Sequence, residues 1–214
     1  MYRKIICVLF LYIPIASYCQ TGNYSAEIPP NAVFVSGVVK LNDATPKPAM
    51  LFFSRTEQRL YVLKEDKVSK YSASEVASFL LQTDRGTVHE QEKLFISWKF
   101  KRDWPSYEKM TFFEVLGDFH RCALVAADRY PRVTDAYPDS SEVFVAQITQ
   151  GISYYIILPG GKVVPYERNT IDHYLEIILE SDYSDVMRYA FENGLRSTRL
   201  EDLITILRFA AQLQ

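Results

Sequence analysis

The chain has few cysteines, and most of them lie at its N-terminus. Only three occur in 214 residues, and Cys7 and Cys19 both fall within the first nineteen. If that segment is removed, Cys122 has no partner for an intramolecular disulfide, which excludes a disulfide-stapled fold. Stability must then come from a packed core, and about 195 residues are enough to form one.

The sequence also lacks the short motifs that mark common enzyme classes. It contains no G-x-S-x-G nucleophile elbow, no G-x-x-x-x-G-K-S/T phosphate loop, no G-x-G-x-x-G turn and no H-E-x-x-H helix. No cofactor is expected. The leading hypothesis is a non-enzymatic binding or interaction module. The alternative is a hydrolase that acts on a polymer through carboxylates dispersed along the sequence.

Basic residues are not in excess either. Lys and Arg number 24 against 26 Asp and Glu, and loss of Arg3 and Lys4 with the N-terminal segment would leave 22 against 26. A protein that binds a phosphate backbone normally carries a clear positive excess. We therefore expect no nucleic-acid partner, and an envelope protein or a glycan is the expected partner.

The one long apolar run of the chain lies at its N-terminus. Two basic residues precede the stretch Ile5 to Ala16, and Ser17 and Cys19 then place small side chains two positions apart. This order of features is typical of a secretory signal peptide, here spanning residues 1–19. The mature chain is expected to begin after Cys19 and to be periplasmic, outer-envelope or extracellular.

Cys19 also allows a lipoprotein interpretation, in which it is acylated and becomes the first residue of the mature chain. The bulky Tyr18 lies where a lipoprotein signal has a small residue, so cleavage after Cys19 is preferred. Contact with a membrane is expected only if Cys19 is lipidated, because no later apolar run approaches the ~18 residues of a membrane helix.

The middle of the chain is predicted to be rich in strands. Residues 20–32 are interpreted as a linker, and residues 33–168 as a β-rich domain of short apolar or alternating runs separated by turns. This pattern predicts an antiparallel β-meander, folded as a sandwich or a partly open barrel. The predicted strands are Val33–Leu41, Met50–Ser54, Leu60–Lys64, Val68–Tyr71, Leu94–Lys101, Thr111–Leu116, Phe119–Ala127, Glu142–Ile148, Ser153–Leu158 and Lys162–Tyr166.

Turn residues connect these runs. Hairpin turns are predicted at Glu65-Asp66-Lys67, at Gly117-Asp118 and at Gly160-Gly161. The segment Ser72–Glu75 has the spacing of a capping box and predicts one short helical turn before the apolar run Val76–Leu81.

The pattern changes at Asn169, a predicted N-cap, and residues 169–214 are expected to form a helical segment packed on the β domain. The apolar face of the first helix consists of Ile171, Tyr174, Leu175, Ile178 and Leu179. A second helix, Tyr183–Glu192, ends at Asn193-Gly194, and a capping box of Thr198 and Glu201 begins a third. The overall prediction is an α+β fold with strands first and helices last.

Four segments carry a family resemblance: G-V-V-K-L-N at Gly37–Asn42, K-Y-S-A-S-E-V-A-S-F at Lys70–Phe79, F-F-E-V-L-G at Phe112–Gly117, and Tyr154-Tyr155. With the signal peptide and the helical tail, they resemble a loosely defined group of uncharacterised secreted bacterial proteins. The resemblance implies export, a β-rich domain and a short helical C-terminal tail. It implies no activity, so no catalytic residue follows from it.

Histidine, cysteine and the acidic residues offer few sites for chemistry. His120 and Cys122 are predicted to alternate on one face of a strand, a geometry that suits a thiolate–imidazole pair or two metal ligands. A zinc site needs three or four ligands, so a half-buried structural pair is favoured. His173 and Glu176 are interpreted as an exposed pair on a helix.

The carboxylates of Asp135, Asp139 and Glu142, which lie in one loop, are candidate calcium ligands. Their spacing matches no EF-hand pattern, so a solvated acidic loop is favoured. His89 lies in a charged segment between strands and is interpreted as solvated. No metal site and no catalytic residue are predicted.

The most distinctive surface candidate is a group of three aromatic residues, Trp98, Trp104 and Tyr107, among basic residues and beside a proline. If they are exposed, they can bind a glycan or a protein. The alternative is that Trp98 packs in the core and Trp104 at its rim. We take these three as the candidate binding residues.

A first prediction concerns the mature N-terminus. Because Tyr18 disfavours lipidation, the exported protein should begin at Gln20 and incorporate no labelled palmitate. N-terminal sequencing and palmitate labelling measure these two properties. Palmitate incorporation that disappears in Cys19→Ala would contradict the expectation.

Overall fold

The computed structural model describes residues 27–83, 91–101, 108–129 and 151–213. Its elements are β1 (Val35–Leu41), β2 (Lys47–Ser54), β3 (Arg59–Lys64), β4 (Lys67–Tyr71), β5 (Val76–Thr83), β6 (Gln91–Lys101), β7 (Glu108–Asp118), β8 (Ala123–Arg129), β9 (Gly151–Ile157), β10 (Val163–Pro165), α1 (Ile171–Leu179), α2 (Tyr183–Glu192) and α3 (Leu200–Ala210), with a 3₁₀ turn (Glu180–Asp182) between α1 and α2. The expected α+β fold is confirmed. The predicted signal peptide, the strand predicted at Glu142–Ile148 and the acidic loop before it lie outside the described residues, as does His89.

The strands form one antiparallel sheet in the order β10-β9-β8-β7-β6-β5-β1-β2-β3-β4, and this sheet is not closed. Two predicted hairpin turns are confirmed, because their residues adopt the left-handed backbone that tight antiparallel turns require. Glu65 and Asp66 have φ of 48° and 64°, and Gly160 and Gly161 have φ of 83° and 87°. None of the helices in the described ranges is long and apolar enough to cross a membrane.

The N-terminal half of the sheet curls around a cluster of phenylalanines. Phe53 in β2 lies 5.4 Å from Phe112 in β7, measured between ring centroids. These strands are four positions apart, which would separate them by about 19 Å on a flat sheet. The sheet must therefore curve over this face, and we call the curved part the N-terminal roll. Its buried residues are Val39, Leu51, Leu60, Ala73, Val76, Phe79, Leu81, Phe95 and Phe112.

The C-terminal half curls over the opposite face. Phe112 and Phe113 are neighbours in β7, so their side chains point to opposite sides of the sheet. Phe113 packs with the rings of Phe100 in β6 and Tyr155 in β9, whose centroids lie 5.0 Å apart. On a flat sheet these two strands would be about 14 Å apart. We call this second curve the C-terminal roll.

The helices cover the first face again, beyond the N-terminal roll. Leu124 in β8 pairs with Ile156 in β9, and Ile156 pairs with Val164 in β10. These residues share one buried cluster with the apolar faces of α1, α2 and α3. Between α2 and α3, Tyr189 and Phe209 stack with ring centroids 3.8 Å apart. The helices thus fill the part of the sheet face that the N-terminal roll leaves free.

The predicted turn at Gly117-Asp118 is wrong in position, although the predicted pairing of its two strands is correct. β7 continues through Asp118, with an irregularity between Val115 and Gly117, and the chain reverses at Phe119–Cys122. A β-carbon on Gly117 would lie 2.3 Å from the ring of Phe119. Glycine is needed here for close packing of that buried ring and not for the turn.

The predicted helix starts are also shifted. α1 has Thr170 as its N-cap in place of Asn169, and α3 has Arg199 in place of Thr198. Neither N-cap residue makes a side-chain capping hydrogen bond. The capping-box contact between Ser72 and Glu75 does form, since the Glu75 carboxylate accepts the Ser72 N–H at 2.8 Å. It closes a turn that leads directly into β5, because the apolar residues of β5 are buried in the N-terminal roll.

The aromatic core gives a stability prediction. Phe79 is 1% exposed and stacks on Phe95 at 4.7 Å, so Phe79→Ala should lower the free energy of unfolding by about 3–5 kcal/mol. Phe191, which is 86% exposed on α2, is the matched control, and Phe191→Ala should change stability by less than about 0.5 kcal/mol. Urea titration of both variants measures the difference. Equal losses of stability in the two variants would contradict the burial of Phe79 in the N-terminal roll.

Candidate functional site

Trp98 lies in β6 and is held in place by the turn between β9 and β10. Its indole N–H donates a hydrogen bond to the Gly161 carbonyl oxygen at 2.8 Å. Gly161 has a φ of 87°, and a β-carbon there would lie 3.1 Å from the indole ring. A glycine at this position therefore permits both the turn and the close approach of the ring. About a third of Trp98, 36%, is still exposed.

Trp98 belongs to the face of the C-terminal roll. Ile96 and Phe100 are each two residues from Trp98 along β6, so all three side chains lie on one face of the sheet. Ile96 and Phe100 pack against the buried cluster of that roll. Across the strand pair it lies opposite Thr111 of β7. Trp98 thus forms the rim of an aromatic surface whose centre is buried.

The other two candidate residues, Trp104 and Tyr107, lie outside the described residues. They belong to the segment between β6 and β7, whose flanking residues Lys101 and Glu108 are a cross-strand pair with an ion pair of 3.4 Å. That Trp98, Trp104 and Tyr107 form one binding surface stays a prediction.

The interpretation of His120 and Cys122 as two residues on one strand face is wrong. Both lie in the turn before β8, where His120 is exposed with a φ of 67° and Cys122 is buried. Burial, with a smaller effect of the Asp118 charge, raises the pKa of the Cys122 thiol to about 12. The thiolate that nucleophilic or metal chemistry requires is therefore scarce at neutral pH.

The remaining metal candidates do not converge in the described ranges. His173 Nδ1 and Glu176 Oε2 lie 3.9 Å apart, and both side chains are mostly exposed on α1. Asp172, next to them, accepts a hydrogen bond from Ser197 at 2.7 Å. Within the described parts of the chain, no group of three His, Cys, Asp or Glu residues could hold a metal ion.

Sequence reasoning missed a cluster of four charged residues, Arg55, Lys93, Glu114 and Asp128, which we call the Arg55 clasp. Arg55 in the β2–β3 turn contacts Glu114 of β7 at 2.6 Å and Asp128 of β8 at 3.3 Å. Lys93 of β6 contacts the other oxygen of Glu114 at 2.9 Å. The Arg55 guanidinium also lies 5.6 Å from the centre of the Phe95 ring.

Glu114 is the most buried member of the clasp, with a side chain that is 13% exposed. Burial alone would raise the pKa of Glu114, but hydrogen bonds from Arg55 and Lys93, and their charges, lower it. Burial likewise opposes the charge of Arg55, yet its two carboxylate partners raise the pKa of Arg55 above the ordinary value. The one local sign of this cluster in the sequence is Glu114 itself, a charged residue within the apolar run of β7.

Known proteins give no guide to this arrangement. No protein-family model, curated protein or solved structure matches the chain. Function must be inferred from the residues themselves.

The state of Cys122 gives a direct chemical prediction. Because the thiol is buried and its pKa is raised to about 12, it should react with a thiol reagent at neutral pH only after the protein unfolds. Labelling kinetics in buffer and in denaturant measure this, with Cys122→Ser as the blank. Rapid labelling of the folded protein would show that the Cys122 thiol is accessible and reactive, which would contradict the prediction.

Proposed function

We propose that the protein is an exported, secreted or envelope-associated binding module without enzymatic activity, and that its contact surface is centred on Trp98. The observation that carries the proposal is the fixed and partly exposed indole of Trp98. A tryptophan supplies a large contact area with few rotatable bonds, and such residues dominate the binding energy of many interfaces. The hydrogen bond to Gly161 limits the motion of the ring before a partner arrives.

The chemistry around Trp98 suggests what it would bind. Its N–H is already used by Gly161, so the face of the ring is what remains for a partner. Thr111 lies opposite it, and the exposed Lys109 lies on the same sheet face two pairs further along, opposite Phe100. An aromatic face beside hydroxyl and ammonium groups suits a glycan or a polar envelope protein.

The Arg55 clasp is poorly suited to polymer hydrolysis. A hydrolase of the expected type needs one carboxyl group with a raised pKa, so that it can donate a proton. In the clasp, Glu114 and Asp128 both contact Arg55, and the pKa of Glu114 is lowered. A carboxylate that stays charged and is paired with cations is a poor general acid.

The test compares binding of the mature protein to envelope glycans and to envelope proteins, before and after changes at Trp98. Trp98→Ala should weaken binding by about tenfold or more, as expected for a tryptophan at the centre of an interface. Trp98→Phe keeps an aromatic ring but loses the hydrogen bond to Gly161. Its affinity should therefore lie between those of the wild type and Trp98→Ala. Surface-immobilised glycan and protein fractions measured in parallel show which class binds.

Phe191→Ala is the matched control, since it removes an exposed aromatic ring from α2 instead of β6. It should leave the affinity unchanged. A partner whose affinity is the same for wild type and Trp98→Ala would place the contact surface elsewhere. Turnover of a polymer by the purified protein would overturn the non-enzymatic part of the proposal.

A further inference from the structure

The turn between β2 and β3, Arg55–Gln58, is held in a strained conformation. Gln58 has a φ of 51°, a left-handed backbone that residues other than glycine adopt at a cost. Its side-chain oxygen Oε1 is buried and has no hydrogen-bond partner among the residues the structure describes. An unpaired buried acceptor destabilises the folded state, so this turn needs compensating contacts.

Carboxylates on both sides of the turn supply these contacts. On one side, Arg55 is bound to Glu114 and Asp128 of the clasp. On the other side, Glu57 Oε2 accepts hydrogen bonds from the Tyr61 hydroxyl at 2.6 Å and from the Lys70 ammonium at 2.8 Å. Hydrogen bonds to charged groups are stronger than neutral ones, and these bonds keep that added strength only while the carboxylate is ionised.

The bonds on both sides weaken in the same direction of pH. The pKa of Glu114 is lowered, because the bonds from Arg55 and Lys93 outweigh its burial. The pKa of Glu57 is also lowered, by the bonds from Lys70 and Tyr61. Because these pKa values are lowered, the stabilisation is fully present above the ordinary value of 4.5, declines as the pH falls below 4.5, and is lost as the pH passes the lowered pKa.

The other charges that face the turn do not compensate for this loss. Lys93 on β6, Lys70 on β4, Arg59 on β3 and Arg55 itself all remain positive in acid. Protonation of the carboxylates therefore leaves an excess of positive charge around Arg55–Gln58. Asp128 of β8, which contacts Arg55 at 3.3 Å, is a further carboxylate that faces the turn.

We propose that the turn Arg55–Gln58 is an acid-released strap. When Glu114 and Glu57 are protonated, the strap lifts from the N-terminal roll, and the Arg55 guanidinium uncovers the ring of Phe95. The core beneath it stays packed, because Phe53 at the end of β2 is held by the rings of Phe79, Phe95 and Phe112. The motion is thus a local opening of one turn and not unfolding of the sheet.

Hydrogen exchange of the full mature chain tests the strap. The reporter is the Glu57 amide, which donates to Ser54 Oγ at 3.3 Å in the closed turn. Its protection, corrected for the intrinsic effect of pH, should hold above pH 4.5 and fall progressively as the pH drops further, while β8 and α1 remain protected. Glu114→Gln should reduce protection of the strap above that pH by about tenfold or more, as expected for loss of a charge-assisted hydrogen bond. The triple variant Glu114→Gln, Glu57→Gln and Asp128→Asn, which replaces every carboxylate named above, should remove the pH dependence.

Glu65→Gln is the control, because Glu65 is a highly exposed turn carboxylate whose contact with Lys64 is 3.7 Å long. It should leave the exchange of Arg55–Gln58 unchanged. If Glu114→Gln does not fold, Glu57→Gln and Asp128→Asn provide the same measurement from the more exposed contacts. Strap protection that is independent of pH in the wild type, or that is lost only together with β8 and α1, would overturn the proposal.

Discussion

The architecture depends on the opposite orientation of two adjacent phenylalanines in β7. Phe112 faces the N-terminal roll and Phe113 faces the C-terminal roll, and both are almost completely buried. A single antiparallel sheet has no second sheet to bury its two faces. The chain meets this requirement by curving the sheet in opposite senses on the two sides of β7 and by covering the remaining area with three helices. The strained β2–β3 turn and the position of Trp98 both follow from these curves, since each brings strands together that are distant in the sheet.

Local features of the fold could be predicted from the sequence, because their causes lie within a few residues. The turns at Glu65-Asp66 and Gly160-Gly161, and the apolar stripe of α1, are of this kind. The turn predicted at Gly117 was wrong, because glycine occurs both in tight turns and where a neighbouring group approaches the backbone closely. Gly117 is of the second kind, since it makes room for the ring of Phe119. The opposite curvature of the two halves of the sheet could not be predicted. The alternation of apolar and polar residues along a strand shows which side chains share a face, but not which part of the chain covers that face.

In the candidate sites too, single residues could be recognised in the sequence, but their contacts could not. Trp98 stood out in the sequence as an aromatic residue among charges, but its fixation depends on Gly161, 63 residues later. The Arg55 clasp joins residues 59 and 73 positions apart, and no spacing rule connects them. Such contacts become visible only once the curvature of the sheet is known. The glutamate in β7 was the one trace of the clasp that the sequence contained.

The shared role of β7 has a consequence for how this protein can change over evolutionary time. Substitutions that keep the size and apolar character of Phe112 and Phe113 should be accepted, since either face can repack. Gain or loss of one residue within β7, before the irregularity at Val115–Gly117, would exchange the two faces and expose both cores at once. Length variation should therefore accumulate in the turns and in the segments between strands, while the length of this strand stays fixed.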